Sequence, residues 1–303
     1  HSFPTRRSSD LISGTAEVGS VVKVTLGSGS NTSTWNVTAT DGTWSIDTST
    51  TATSTTGSGY TIATNGTNAV SVTATDAAGN VSAAGTQTLT IDSTAPTVAI
   101  TDDTGGTSAV NGDITFTFTF SEAISDFLAE DITVANGTKG AFSQTSSTVY
   151  TLIVTPDANS TSAVTVDVAQ DKATDAAGNN NTAAPQATQA VDTAAPTTPT
   201  IAAITTPDND STPTITVTAE NGSTVKVYAN GDLLGTATNT SGTTHTLTPS
   251  ALPDGNYSIT AVATDTTGNA SAEAVPQNII IDVVKDGVPV ISSASLTTDT
   301  TPT

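Results

Sequence analysis

Three segments of this 303-residue chain place an Asp four residues before an Asn. They are Thr73–Ser82 (TATDAAGNVS), Lys172–Asn181 (KATDAAGNNN) and Val262–Ser271 (VATDTTGNAS), and their acids are Asp76, Asp175 and Asp265. Asn179 and Asn269 close the second and third copies. A Glu also stands at a matching place near the start of each repeat: Glu17, Glu122 and Glu220. Ahead of the second and third repeats lie Asp92, in IDSTAPT, and Asp192, in VDTAAPT. Shells of several carboxylates and amide oxygens suit hard cations, Ca²⁺ above all. One Asp-Ala-Ala-Gly-Asn alone reads as an ordinary turn. Its recurrence with a Glu and a linker Asp points to metal, with Asp92, Glu122 and Asp175 as one expected set and Asp192, Glu220 and Asp265 as a second. Glu17 and Asp76 are the partial set of the first repeat.

Other chemistry is thinly supplied. Beyond the first ten residues His245 is the only histidine, and there is no cysteine, so Ser-His and Cys-His catalysis lack their partners. Paired carboxylates for glycoside hydrolysis have nothing to raise one pKa selectively. No catalytic residue is expected, and the chain does not read as an enzyme. His245, within TTHTLT, is expected on a strand facing solvent. Trp35 and Trp44 are the available stacking platforms for sugar, and both read better as core. The many Thr-x-Thr pairs follow from Thr on the wet face of strands.

The net charge is −21, from 28 acidic and 7 basic residues. That balance argues against nucleic acid and against an anionic membrane surface, and no apolar run approaches the ~20 residues of a membrane span. The opening has no apolar stretch after Arg6 and Arg7, so it does not read as a signal peptide.

The elements that must position the acids are strands. Thr and Val abound, and branching at Cβ favours a pleated, half-buried surface. Period-two alternation runs through Ile114, Phe116, Phe118 and Phe120, through Tyr257, Ile259, Ala261 and Ala263, and through Val70, Val72 and Ala74. The linker acids Asp92, Asp192 and Asp282 are spaced as small sandwiches of about seven strands would be. The expected fold is all-β: tandem immunoglobulin-like β-sandwich domains arranged end to end, at residues 11–95 (first strand missing), 96–195 and 196–286. Residues 287–303 read as the start of a truncated fourth domain, because TTDTTPT (Thr297–Thr303) echoes DNDSTPT (Asp208–Thr214). In such a sandwich the loop after the second strand and the loop before the last share the end where the chain enters. Glu122 and Asp175 therefore converge with Asp92 there, and Glu220 and Asp265 with Asp192.

The decapeptide HSFPTRRSSD holds both arginines and is out of character with the acidic, Thr-rich remainder of the chain. Written as codons, residues 1–10 resemble a common short-read sequencing adapter, and they read as an assembly artefact in place of the first strand.

The residues DGTWSI (Asp41–Ile46), TATDAAGN and IDSTAPT resemble the bacterial Ig-like domains of large repetitive surface adhesins. FTFSEAI and DITVANGT (Asp131–Thr138) look like a sister class from the same proteins. The resemblance covers Leu11 to Thr303; the third repeat departs from it with VVKDGVP where an Asp-Thr-Ala-Pro linker is expected. It implies export, usually by a one-step secretion system, and an extracellular or cell-surface place as an extender between an anchor and a distal adhesive region. Partners would be neighbouring repeats of the same chain, with surface glycans or other cells reached through distal domains. Two other roles stay open: a module that itself grips a glycan, and an accessory sandwich of a secreted carbohydrate-active enzyme.

Overall fold

The computed structural model describes residues 11–48, 52–56, 60–61, 63, 65–106, 108–285, 287 and 289–290. The decapeptide read as an artefact lies outside them, as does most of the stretch read as a fourth domain. Strands dominate, in keeping with the Thr- and Val-rich sequence, and among the described residues the helical element is a single 3-10 turn at Ala129–Asp131. Among the described residues no helix is long and apolar enough to cross a membrane.

Buried apolar residues fall into three clusters, each enclosed by its own strands. The first is built by β1 (Leu11–Thr15), β2 (Val21–Ser28), β3 (Asn31–Thr38), β4 (Thr43–Asp47), β5 (Ser54–Thr56), β6 (Gly66–Thr75) and β7 (Gly85–Ile91). Strands β1 and β4 pair, opposite a sheet ordered β5-β3-β2-β6-β7. Between them lie Val22, Val24, Leu26, Trp35 and Trp44. Both tryptophans are core, as expected, and Gly14 sits so close that a Cβ there would be 2.7 Å from the Trp44 ring.

The second sandwich has nine strands: β8 (Val98–Asp102), β9 (Ile114–Phe120), β10 (Ile124–Ser125), β11 (Ile132–Ala135), β12 (Gly137–Gln144), β13 (Val149–Pro156), β14 (Val164–Val168), β15 (Thr174–Asp175) and β16 (Ala187–Gln189). A sheet β12-β13-β9-β8 faces β11-β14-β16, and β10 pairs with β15 alone. Phe116 and Phe118 of β9 are fully buried while Thr115 and Thr117 alternate outward, as period two requires. Full burial of each Phe stabilises by about 1.5–3 kcal/mol. Phe127, at the centre of edge-to-face contacts with Phe118, Phe120, Phe142 and Tyr150, locks this core.

The third sandwich has β17 (Thr200–Ile201), β18 (Ile215–Thr218), β19 (Thr224–Ala229), β20 (Asp232–Ser241), β21 (Thr244–Leu247), β22 (Gly255–Thr264) and β23 (Gln277–Ile281). The long β20 pairs with β19 at one end and β21 at the other, so hydrogen bonding runs continuously through all seven strands.

His245 corrects an expectation. It is 1% exposed rather than solvent-facing. Cross-strand partners share a face, and His245 pairs with Val217, which is fully buried. Flanking threonines occur on both faces of these sheets, so they do not mark which face is wet. The imidazole lies 3.2 Å from Asn239 Nδ2, 3.2 Å from the Ser223 carbonyl and 3.3 Å from the Thr243 carbonyl. It thereby ties β21 to the turn that carries Glu220.

Candidate metal centre

The Asp-x-x-Gly-Asn turn is built the same way in all three sandwiches. Gly79, Gly178 and Gly268 adopt φ of 89°, 87° and 98°, a conformation that a side chain would strain. The Asp carboxylate folds back on the turn. Asp76 Oδ1 accepts from the Asn80 amide (2.8 Å), Asp175 Oδ1 from those of Ala177 and Asn179 (2.8 Å each), and Asp265 Oδ1 from that of Asn269 (2.9 Å). In each case the Asn side chain donates to the other carboxylate oxygen, at 2.7–2.8 Å. Part of the Asp signal is thus a turn, made for turn reasons.

The second and third copies do something further. Asn179 Nδ2 also donates to the Asp92 carbonyl at 3.1 Å, and Asn269 Nδ2 to the Asp192 carbonyl at 2.8 Å. Each turn therefore grips the main chain of the linker entering its sandwich. Pro96 and Pro196, four residues on, are buried against the same end.

Only the second sandwich draws its acids together. Asp92, Glu122 and Asp175 each bring one carboxylate oxygen within 4.8 Å of the others, and no other such group of three occurs among the described residues. The pairing of β10 with β15 achieves this: Ile124 stands opposite Asp175, which brings the neighbouring Glu122 to the turn. Asp126, with φ of 62°, secures the pairing by accepting from the Thr174 amide and hydroxyl, both at 3.1 Å. The linker's Thr97 amide is satisfied by Ser121 Oγ at 3.0 Å, so Glu122 is not consumed by it.

Electrostatics register the crowding. Burial, then repulsion from Asp175 and Asp92, raises the Glu122 carboxyl above its ordinary value. Burial pushes Asp175 upward too, but the Asn179 side chain and the turn amides outweigh it and hold the group below its ordinary value. Glu122 therefore carries its charge against burial and against two neighbouring carboxylates.

The other expected residues are arranged differently. Glu220 Oε2 accepts from the Thr197 amide at 3.3 Å, whereas the linker acids behave alike, Asp192 Oδ1 accepting from the Ala194 amide at 3.1 Å as Asp92 Oδ1 does from that of Thr94 at 3.0 Å. Asp265 receives the Thr267 hydroxyl (2.8 Å) as well as its turn amides. Burial raises this carboxyl, yet the Asn269 and Thr267 side chains and the backbone bring it to about 2. In the first sandwich Glu17 is exposed and Asp76 is half-buried, together lining one cavity with Asn80. The pairs Asp102–Asp103 and Asp208–Asp210 act as turn acceptors, for Thr104, Thr115, Asp210 and Thr212.

Residues 92–191 and 204–283 each match a sequence profile described as "Bacterial Ig-like domain", through two different profiles that together span more than half of the chain. The chain belongs to the bacterial Ig-like domain family. Such Ig-like domains are generally non-catalytic modules and typically extracellular or surface-exposed. No curated protein sequence matches. Solved structures similar to these Ig-like domains include the Bacteroides ovatus mixed-linkage glucan utilization locus SGBP-B in complex with mixed-linkage heptasaccharide (14% identity, 93% of this chain, 69% of that one, TM-score 0.22). Fibronectin(III)-like modules of Clostridium thermocellum CbhA align at 17% identity over 60% of this chain and 94% of theirs, with TM-score 0.30. Invasin, a bacterial integrin-binding protein, aligns at 13% over 90% of this chain and 56% of its own, with TM-score 0.31. Likenesses at these scores carry no functional argument.

Proposed function

We propose that the chain is a non-catalytic structural extender of a bacterial cell-surface adhesin, stiffened by Ca²⁺ at a junction between Ig-like domains. One observation carries the stiffening: the gathering of Asp92, from the linker, with Glu122 and Asp175, from the domain that the linker enters. The donor set fits the ion, being oxygen only and rich in carboxylate. Glu122 and Asp92 would supply the least committed oxygens, and Asp175 a third held in place by its turn. Bound Ca²⁺ would supply charge neutralisation that the three acids lack, and it would fix the linker to the domain. Without it three negative charges repel, and the hydrogen bond from Asn179 to Asp92 holds against that repulsion.

Extracellular Ca²⁺ modules bind at ~10⁻⁴–10⁻³ M, so such a site fills outside a cell and empties in cytosol. The extender role rests on the repeated sandwich, on the linker grip at both junctions and on the thin supply of catalytic side chains. Small-angle scattering of the full chain in millimolar Ca²⁺ and in chelator tests it. The expected result is a longer, straighter particle with Ca²⁺. Superimposable profiles would end the stiffening account.

A further inference from the structure

The sequence holds five Asn-Gly steps, at Asn65, Asn111, Asn136, Asn221 and Asn230. At such a step the Gly amide nitrogen can attack the Asn side-chain carbonyl carbon, because Gly carries no Cβ to obstruct the approach. Ring closure needs a side chain free to swing onto the next nitrogen, and an amide that is not already donating. Four of the five steps are held against it. Asn65 accepts from the Ser93 amide at 3.3 Å and donates to the Thr94 hydroxyl. Asn136 and Asn230 sit at φ of 60° and 52° with bonded side chains: Asn136 Nδ2 donates to the Ala163 carbonyl at 2.7 Å, and Asn230 Oδ1 accepts from the Ser258 amide at 2.9 Å. Gly222, after Asn221, is fixed at φ 84° in a turn that the Ser223 amide and hydroxyl close onto the Glu220 carbonyl.

Asn111–Gly112 is built differently. It lies in the connection between β8 and β9, both residues are exposed, and among the described residues none accepts from the Gly112 amide. A Cβ on Gly112 would meet nothing within 4 Å, so the step has room to move. Among the described residues the Asn111 side chain is held by one long hydrogen bond, from Nδ2 to Asn269 Oδ1 at 3.4 Å.

That bond crosses the second junction. The Val110 carbonyl accepts from the Asp192 amide at 2.9 Å, and Asn269 Nδ2 donates to the Asp192 carbonyl at 2.8 Å. The second and third sandwiches thus hold Asp192 from either side, and the Asn111–Asn269 contact lies next to that grip. Packing is close there, since a Cβ on Gly268 would stand 3.4 Å from Asn111 Nδ2. Asn269 Nδ2 is fully engaged, donating also to Asp265 Oδ2 and to Thr267 Oγ1 at 2.8 Å each.

We propose that Asn111 is a site of spontaneous deamidation that loosens the second junction as the protein ages. The Gly112 nitrogen bonds to Asn111 Cγ, the Cγ–Nδ2 bond breaks, and ammonia leaves with the proton of the Gly112 amide. Water then opens the cyclic imide at one of its two carbonyls, leaving aspartate or isoaspartate at position 111. Either product is a carboxylate, ionised near neutrality. It faces Asn269 Oδ1, acceptor against acceptor, beside the Asp265 carboxylate that Asn269 already serves. Relief requires Asn269 to turn over, which releases the Asp192 carbonyl. The reaction is independent of Ca²⁺, because the gathered acids lie at the other junction.

The test ages the full chain in mildly alkaline buffer with chelator and maps its peptides by mass spectrometry. Asn111 should convert severalfold faster than each of the other four steps, and conversion no faster than theirs overturns the site. Gly112→Ala, where the methyl has room, should slow conversion of Asn111 severalfold; an unchanged rate overturns the chemistry. Asn111→Asp in fresh protein reads the consequence. The Asn269 side-chain NH₂ resonances should shift and amide exchange at Asp192 should quicken severalfold, whereas unaltered behaviour overturns the loosening. Asn111→Ala loses the donor without adding charge and should change less; an equal change overturns the part assigned to charge. Failure here leaves the Ca²⁺ reading of the first junction standing.

Discussion

The two junctions of this chain share a plan and differ in where their carboxylates end up. Both enter a sandwich through an Asp linker gripped by an Asn side chain. At the first, Asp92, Glu122 and Asp175 gather within 4.8 Å; the counterparts Asp192, Glu220 and Asp265 do not. Three local differences account for this. Ser121 takes the Thr97 amide at the first junction, whereas Ala219 has no hydroxyl and Glu220 must take the Thr197 amide itself. Ala177 leaves Asp175 to its turn amides and Asn179, whereas Thr267 adds a hydroxyl to Asp265. Finally, β10 pairs with β15 and pulls Glu122 to the turn, whereas Gly222 (φ 84°) sends the chain straight from Glu220 into β19. The lesson is that equal acid counts are not equal sites. What decides is whether a neighbouring hydroxyl relieves a carboxylate, as Ser121 does Glu122, or occupies one, as Thr267 does Asp265.

The largest expected effect is on Ca²⁺ affinity at the first junction. Asp175→Asn or Glu122→Gln should weaken it by tenfold or more, about 1.4 kcal/mol or greater. Mg²⁺ should substitute poorly even in the unaltered chain, because it dehydrates reluctantly and demands a tighter octahedron. Competition calorimetry reads both. Affinity unchanged in either variant would reduce the first junction to the condition of the second.

Exchanging the hydroxyls should move the property between junctions. Ser121→Ala with Ala177→Thr makes the first junction resemble the second, and Ca²⁺ binding there should fall severalfold. The reciprocal pair, Ala219→Ser with Thr267→Ala, should lift Asp265 from about 2 towards its ordinary 3.8, since a hydroxyl donor is gone. Carboxyl NMR titrations check this directly. A smaller effect is expected from Asn179→Ala, which loses the hydrogen bonds to Asp92 and Asp175. It should cost about 1 kcal/mol in denaturant stability of the second sandwich, with little change in the third.

Much of this fold was legible in the sequence. Alternation through β9 and β22 placed the core, and the recurring Asp-x-x-Gly-Asn marked the turns. The order of loops in a sandwich also brought Glu122 and Asp175 to the linker Asp92. The β10–β15 pairing was not legible, because a two-residue strand has no period to read. Nor was the role of Ser121 or Thr267, since a hydroxyl matters only once the linker amide or the Asp carboxylate lies beside it. His245 was misread for a related reason: Thr on either side of it carries no information about which face is buried.

pH gives a finer contrast, measured in chelator. Asp265 is held at about 2, below its ordinary 3.8. Its stabilising contribution is therefore complete above pH 3.8 and is lost as pH falls towards 2. Glu122 is raised above its ordinary 4.5, so the sign reverses. It favours the folded state most below pH 4.5 and loses that advantage as pH rises through its folded value. Mild acidification should thus relieve the first junction before it harms the second. Per-domain amide exchange between pH 3 and 6 reads the difference, and parallel responses at both junctions would contradict it.

The central claim is that a linker acid and two domain acids form one Ca²⁺ site at the first junction. Calorimetric titration of Ca²⁺ into the full chain, beside Glu122→Gln, tests it most directly. The account predicts a saturable binding event in the ~10⁻⁴–10⁻³ M range that is lost or strongly weakened in Glu122→Gln. No binding heat, or the same isotherm in both proteins, would contradict it.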